Sequence, residues 1–304
     1  MSFQLVQGLH RAVQAHPYRI ATICGERQQT YKSFTERVAR LAGALQKQGM
    51  AKGDRVGMLA LNSDRFLEYF FACWWGGGAV NPINIRWSAA EVAYSLDDCE
   101  TKILLVDDAY KDMAEELQRR SASLRTIIYV GDGDTPAGMQ NYEAILSESC
   151  PIADAGCGGD DLAIVMYTGG TTGFPKGVMH SHATASVGGY AVEAGLFEAS
   201  SLAPCSLLVA PLFHVIGVGL AMANFIAGGT AIVEPFSPLD CMESIEKHRA
   251  SQLILAPAML QMVMDHPDVN KFDMSSVISL AYGGAVISES GLRRAMSQGP
   301  SARF

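Results

Sequence analysis

The sequence predicts an α/β fold of mostly parallel sheets covered by helices and divided into two subdomains. Three observations predict it. Short apolar runs alternate with amphipathic stretches along most of the chain, which is the pattern of repeated strand–helix units. The chain has 304 residues, 49% hydrophobic and 18% charged, so it buries a large core and exceeds a typical single domain. A loop rich in glycine and threonine directly follows one of the apolar runs, Leu162–Met166.

Taken in order, Ser33-x-x-Glu36 reads as a capping box, with Val38, Leu41, Ala42 and Leu45 following at helical spacing. Arg55–Leu61 reads as a buried strand, and Ser63 then caps a helix with Phe66, Tyr69, Phe70 and Cys73 on its core face. Lys102–Val106 and Thr126–Val130 read as strands around a charged helix, Tyr110–Arg120. Residues 131–160 hold Gly131, Gly133, Pro136, Gly138, Pro151 and a Gly156–Gly159 cluster, and read as a linker. The expected division is therefore residues 1–155 and residues 156–304 as two parts of one large domain. Further strands are expected near 162–167, 206–210, 230–234, 252–256 and 277–282, with helices between them. Val215–Ala227, interrupted by Gly217, Gly219 and Asn224, reads as a buried helix, being shorter than the ~20 residues that span a bilayer.

Composition narrows the function. A net charge of −8 argues against nucleic acid as a partner, because a phosphate backbone demands a basic face. One nucleotide needs only a local patch and stays compatible. The seven cysteines are odd in number, and no Cys-x-x-Cys occurs, so neither a zinc site nor a disulfide framework is signalled. Residues 1–20 mix polar and apolar groups and include His10, Arg11, His16 and Arg19, without the apolar core of a signal peptide. A cytoplasmic location with reduced thiols is the expectation.

The chemistry is concentrated in Tyr167-Thr-Gly-Gly-Thr-Thr-Gly-Phe-Pro-Lys-Gly177. Four glycines let backbone N–H groups turn toward an anion, three threonines add hydroxyl donors, and Lys176 adds a positive charge. A plain surface turn is the simpler reading of a Gly-Thr cluster, but this length and composition suit a phosphate. A Walker loop is excluded by spacing, since Pro175 precedes Lys176 and Gly177 follows it. Two further segments stand out. Pro211-Leu-Phe-His214-Val-Ile-Gly217 carries a histidine amid apolar residues, and Tyr282-Gly-Gly-Ala285 ends an apolar run. Alone, the first reads as a wall histidine and the second as a strand-ending turn.

Together, in this order, the three segments resemble the adenylate-forming enzymes: acyl-CoA synthetases, luciferases and the adenylation domains of peptide synthetases. That family's signature runs Tyr or Phe, Thr, a small residue, Gly-Thr-Thr-Gly, any residue, then Pro-Lys-Gly, and residues 167–177 meet it throughout. The resemblance implies ATP-dependent activation of a carboxylic acid to an acyl-adenylate, followed by thioester formation with coenzyme A. It implies that Thr168, Gly169, Gly170, Thr171, Thr172, Gly173 and Lys176 bind the nucleotide's phosphates, with Lys176 also catalytic. Thr168 is implied as a ligand of Mg2+. His214 is implied beside the carboxylate as a catalytic residue, and Gly283, Gly284 and Ala285 border the adenine and acyl group. The apolar residues around His214 (Leu212, Phe213, Val215, Ile216, Val218, Leu220, Met222) favour a fatty acid, then an aryl acid, and bulk at Gly217 is expected to obstruct the acyl path. The same residues also suit plain core.

Family members normally continue through a Tyr-Gly-x-Thr-Glu segment, a ribose-binding aspartate, a hinge and a C-terminal domain with a catalytic lysine. The sequence stops at Phe304 before any of these, so it is expected to be the N-terminal portion of such an enzyme. Loading of a carrier-protein thiol, or a non-catalytic nucleotide-binding module, are the alternatives. A homodimer is left open.

Overall fold

A computed structural model describes residues 3–169, 174–197, 203–287 and 289–298. The chain opens with α1 (Gln7–Ala15), the hairpin β1 (Ile20–Cys24) and β2 (Arg27–Thr30), and α2 (Tyr31–Lys47). Strand and helix then alternate: β3 (Arg55–Leu59), α3 (Asp64–Gly76), β4 (Ala79–Pro82), α4 (Ala89–Asp98), β5 (Ile103–Val106), α5 (Lys111–Arg120) and β6 (Thr126–Tyr129). A short β7 (Gln140–Asn141) and α6 (Tyr142–Ser147) precede the strand pair β8 (Leu162–Thr168) and β9 (Lys176–Ser181). Next come α7 (His182–Phe197), β10 (Cys205–Leu208), α8 (Val215–Ala227), β11 (Thr230–Val233) and α9 (Pro238–His248). The last elements are β12 (Gln252–Leu255), α10 (Pro257–Met264), β13 (Ser279–Tyr282) and α11 (Glu289–Gln298).

Two sheets result. One has seven strands in the order β7-β6-β5-β3-β4-β8-β9, and the other has six in the order β13-β12-β10-β11-β1-β2. All neighbours are parallel except the β8–β9 and β1–β2 pairs. The expected mostly parallel α/β architecture is what the chain adopts. By contact the chain groups into two compact units. The first comprises Met1–Gln7, Lys32–Leu61 and Arg65–Val187, and the second comprises Gly8–Tyr31, Asn62–Asp64 and Gly188–Phe304. These groupings cut across a split at residue 155 because of strand pairing. β8 bonds to β4 (Val80 opposite Ile164), keeping it in the first unit, while β1 bonds to β11 (Thr22 opposite Ala231), carrying residues 8–31 to the second.

In the first unit, α4 and α5 cover one sheet face, where Leu96, Leu104, Val106, Leu117 and Tyr167 share a core. In the second, Ile23, Leu207, Ile232, Leu253 and Leu280 pack with Met242, Ile245 and Leu260 of α9 and α10. Parallel strands covered by helices bury both faces, so their sequences read as continuous apolar runs.

Two local expectations are corrected. α2 starts at Tyr31, so Ser33 lies inside its first turn and Glu36 pairs with Arg40 at 3.0 Å. The capping box with both bonds made is at α4, where Ser88 accepts from the Glu91 amide and Glu91 accepts from the Ser88 amide. Residues 131–160 are not only linker. The Asn141 side chain caps α6 by accepting from the Ala144 amide at 2.9 Å, and Tyr142 and Leu146 of α6 are buried. Among the described residues no helix is long and apolar enough to cross a membrane. All seven cysteines are free thiols.

Candidate active site

The glycine- and threonine-rich loop connects an antiparallel strand pair. In the β8–β9 ladder Tyr167 lies opposite Gly177 and Thr168 opposite Lys176. Gly170, Thr171, Thr172 and Gly173 lie outside the described residues. Both ends of the loop are tied to α4. On one side Tyr167 is buried, donates to Asp98 Oδ2 at 2.6 Å and meets Trp87 edge-on at 6.2 Å between ring centroids. Burial, helped by the Asp98 carboxylate, pushes the Tyr167 phenol up, so it stays a protonated donor. On the other side exposed Phe174 stacks on Tyr94 with centroids 4.6 Å apart and planes at 24°. Tyr94 and Asp98 sit one helical turn apart on the same face of α4.

Opposed residues in a ladder project to one side, so Thr168 and Lys176 share a face. Both are exposed, and the Thr168 hydroxyl donates to the Lys176 carbonyl at 3.4 Å. Among the described residues no carboxylate or carbonyl engages the Lys176 ammonium. Among the described residues, nothing lies within 4 Å of a Cβ built on Gly169. At Gly177 a Cβ would lie 3.0 Å from the Tyr167 ring, so glycine lets the ring lie flat on β9.

His214, Gly283, Gly284 and Ala285 belong to the second unit. His214 is exposed and caps α8, its Nδ1 accepting from the Ile216 amide at 3.5 Å. With Nδ1 turned to that amide, Nε2 is the ring nitrogen that would serve as a donor. The turn before it closes with the His214 amide donating to the Pro211 carbonyl at 3.0 Å. Gly284 follows β13 in the left-handed region at φ +81°, and its Cβ would sit 3.3 Å from Ile216 Cδ1. The second unit thus brings the Gly283–Ala285 turn against the first turn of α8.

Around His214, Leu212, Val218, Leu220 and Met222 are buried and serve as core, while Val215 is exposed. Gly217 does not line an open path. Its Cβ would lie 2.3 Å from the Pro211 carbonyl oxygen and 3.0 Å from that of Ala210. The expectation that Gly217 borders the acyl chain is therefore corrected: this glycine lets α8 start against backbone.

For a metal, the described residues offer little. No group of three or more His, Cys, Asp or Glu among them could hold an ion. The lone neutral hydroxyl of Thr168 does not make a magnesium site by itself, and Mg2+ reaches such sites mainly through substrate phosphates. Tyr94, Asp98 and Trp87 escape sequence reading, since stacking and hydroxyl–carboxylate pairing across so many residues carry no local pattern.

The AMP-binding enzyme family matches residues 9–303, and the chain belongs to that family. It is 29% identical over 305 residues to the fatty acid–[acyl-carrier-protein] ligase ScoC of Streptomyces coeruleorubidus, across 96% of this chain and 56% of that protein. It is 30% identical over 281 residues to a feruloyl-CoA synthase of an Amycolatopsis species, across 91% of this chain and 53% of that protein. The chain spans about half the length of the curated relatives it matches. Among solved structures, the anthranilate CoA ligase AuaEII in complex with anthranoyl-AMP superposes with a TM-score of 0.91 at 20% identity, covering 99% of this chain and 58% of that one. That likeness establishes the fold.

Proposed function

We propose that the protein activates a carboxylic acid, a fatty acid first and an aryl acid second, by ATP-dependent adenylation, and that coenzyme A then takes the acyl group as a thioester. The observation that carries the reading is the exposed Lys176 ammonium opposite Thr168 at the base of the loop, which no carboxylate among the described residues neutralises. A carboxylate is a weak nucleophile and must meet an anionic phosphate in line, so catalysis consists of positioning and charge neutralisation. Lys176, Thr168 and the Gly169–Gly173 loop would receive the nucleotide's phosphates. His214 would donate from Nε2 to the acid's carboxylate, and Gly283, Gly284 and Ala285 would border the adenine and acyl group.

The carboxylate oxygen attacks the α-phosphorus, the bond to the β-phosphate oxygen breaks, and pyrophosphate leaves. A thiolate next attacks the acyl carbon and AMP leaves. Mg2+ would come with ATP, masking phosphate charge, and no step is assigned to an ion held by protein ligands. A carrier-protein thiol is the second reading for the acceptor, favoured by the name of the Streptomyces relative.

The test is hydroxylamine trapping with the protein expressed from its complete gene, ATP, Mg2+ and panels of fatty and aryl acids. Hydroxamate from a fatty acid is the expected product; none from any acid would overturn the proposal. Supplying coenzyme A or a phosphopantetheinyl carrier protein then separates the two acceptors.

A further inference from the structure

Strand β10 loses its neighbours just where the chain must be aimed at His214. Its ladder with β12 ends at Leu207 opposite Leu253, and its ladder with β11 ends at Leu208 opposite Val233. The following residues take their hydrogen bonds from one buried side chain. Asn62 Nδ2 donates to the Leu208 carbonyl at 3.1 Å and the Ala210 carbonyl at 2.9 Å, and its Oδ1 accepts from the Leu212 amide at 2.9 Å. Alternate residues 208, 210 and 212 present polar groups to one side of an extended segment. The Asn62 amide therefore stands in for a missing strand, and the demand for two donors and one acceptor sets its orientation. Asp64, two residues on, is itself held by Arg27 of β2 at 2.9 and 3.1 Å.

Downstream of Leu212 the Pro211–His214 turn closes and α8 begins. The His214 ring is exposed and, among the described residues, makes only the long 3.5 Å capping contact. Its location is thus inherited from the backbone that Asn62 holds. We propose that Asn62 is a positioning residue for the carboxylate end of the site, acting through the 208–212 segment on His214. The inference rests on the acid-activating reading above. An asparagine that merely satisfied buried backbone groups would affect stability alone.

The test uses the protein expressed from its complete gene, with calorimetric titration of aliphatic and aryl acyl-sulfamoyl-adenosines and of AMP alone. Asn62→Ser and Asn62→Asp are the variants; the second keeps the acceptor for Leu212 but sets a carboxylate against two carbonyls. Affinity for the acyl probes is expected to fall about tenfold, the scale of one or two unmade buried hydrogen bonds, with AMP binding unchanged. Equal affinity for the acyl probes, or an equal loss for AMP, would overturn the inference. Hydrogen exchange on the wild type needs no variant. The Leu212 and His214 amides are expected to gain protection with an acyl probe and not with AMP, and identical protection in both cases would count against a link. If the wild type binds neither ligand, the acid-activating reading itself fails, which the AMP and acyl titrations reveal before any variant is compared.

Discussion

Lys176 lies directly across from Thr168 in the β8–β9 ladder, its carbonyl accepting from the threonine hydroxyl at 3.4 Å while its ammonium stays exposed. The two therefore form the base of a strand-to-strand loop. Among the described residues the loop leads into β9 and not into a helix N-terminus, unlike loops that hold an anion by helix-dipole attraction. Anion binding would depend on backbone N–H groups, threonine hydroxyls and one charge, and on how firmly the loop is held.

Firmness comes from α4, which gives the first prediction. Phe174 stacks on Tyr94 at 4.6 Å, a contact worth about 0.5–1.5 kcal/mol. Phe174→Ala is expected to raise the KM for ATP by about two- to tenfold at that energy, with KM for the acid unchanged. Steady-state pyrophosphate exchange checks this. A change in acid KM alone would detach the Phe174 contact from phosphate binding.

Gly217 gives the second. A methyl group there would press on the Pro211 carbonyl at 2.3 Å, and overpacking of this kind costs about 1–3 kcal/mol. Gly217→Ala is expected to lower the thermal midpoint and to depress activity equally for short and long acids. Chain-length profiles read beside thermal melts decide it: a shift toward shorter acids at unchanged stability would restore Gly217 to the acyl path.

The third concerns a buried ion network in the first unit. Arg37 meets fully buried Glu68 at 2.7 and 3.1 Å and Glu143 at 2.8 Å, and the Tyr142 hydroxyl also donates to Glu68. Removing the cation takes the guanidinium from a carboxylate that has no access to water. Arg37→Ala is expected to cost about 3–5 kcal/mol of stability, measured by urea denaturation, and a loss within experimental error would refute that role.

The fourth is a pH dependence. His182 is buried, its Nδ1 accepts from the Leu5 amide at 3.3 Å, and burial lowers its pKa below the ordinary 6.5. Below 6.5 the unfolded chain takes up a proton that the native state still refuses, so stability falls as pH drops until the native pKa is passed. His248, also lowered by burial, adds the same sign. Thermal midpoints are expected to fall between about pH 7 and about pH 5.5, and less steeply in His182→Asn. Parallel slopes would acquit His182.

Much of this was legible in residues and much was not. Val215–Ala227 reads as a buried helix because its apolar run is long and uncharged, and α8 has those bounds. β9 escapes sequence reading because Lys176–Ser181 is an exposed edge strand without an apolar pattern, which hides the loop's hairpin character. Ser33-x-x-Glu36 and Ser88-x-x-Glu91 satisfy the same pattern, but α2 begins at Tyr31, before Ser33, whereas Ser88 caps α4 with both bonds made, since tertiary packing decides where a helix starts. The three hydrogen bonds of Asn62 to residues 208–212 span a sequence distance that no periodicity reports.

The central claim is that Lys176 and its loop serve acid activation, and acid-dependent exchange of labelled pyrophosphate into ATP tests it most directly. With the protein expressed from its complete gene, exchange is expected with a fatty acid and to fall in Lys176→Ala by the equivalent of one charge-assisted contact, about 1.5–3 kcal/mol or about ten- to a hundredfold. Exchange that needs no acid, or that Lys176→Ala leaves unchanged at both saturating and limiting ATP, would contradict the account.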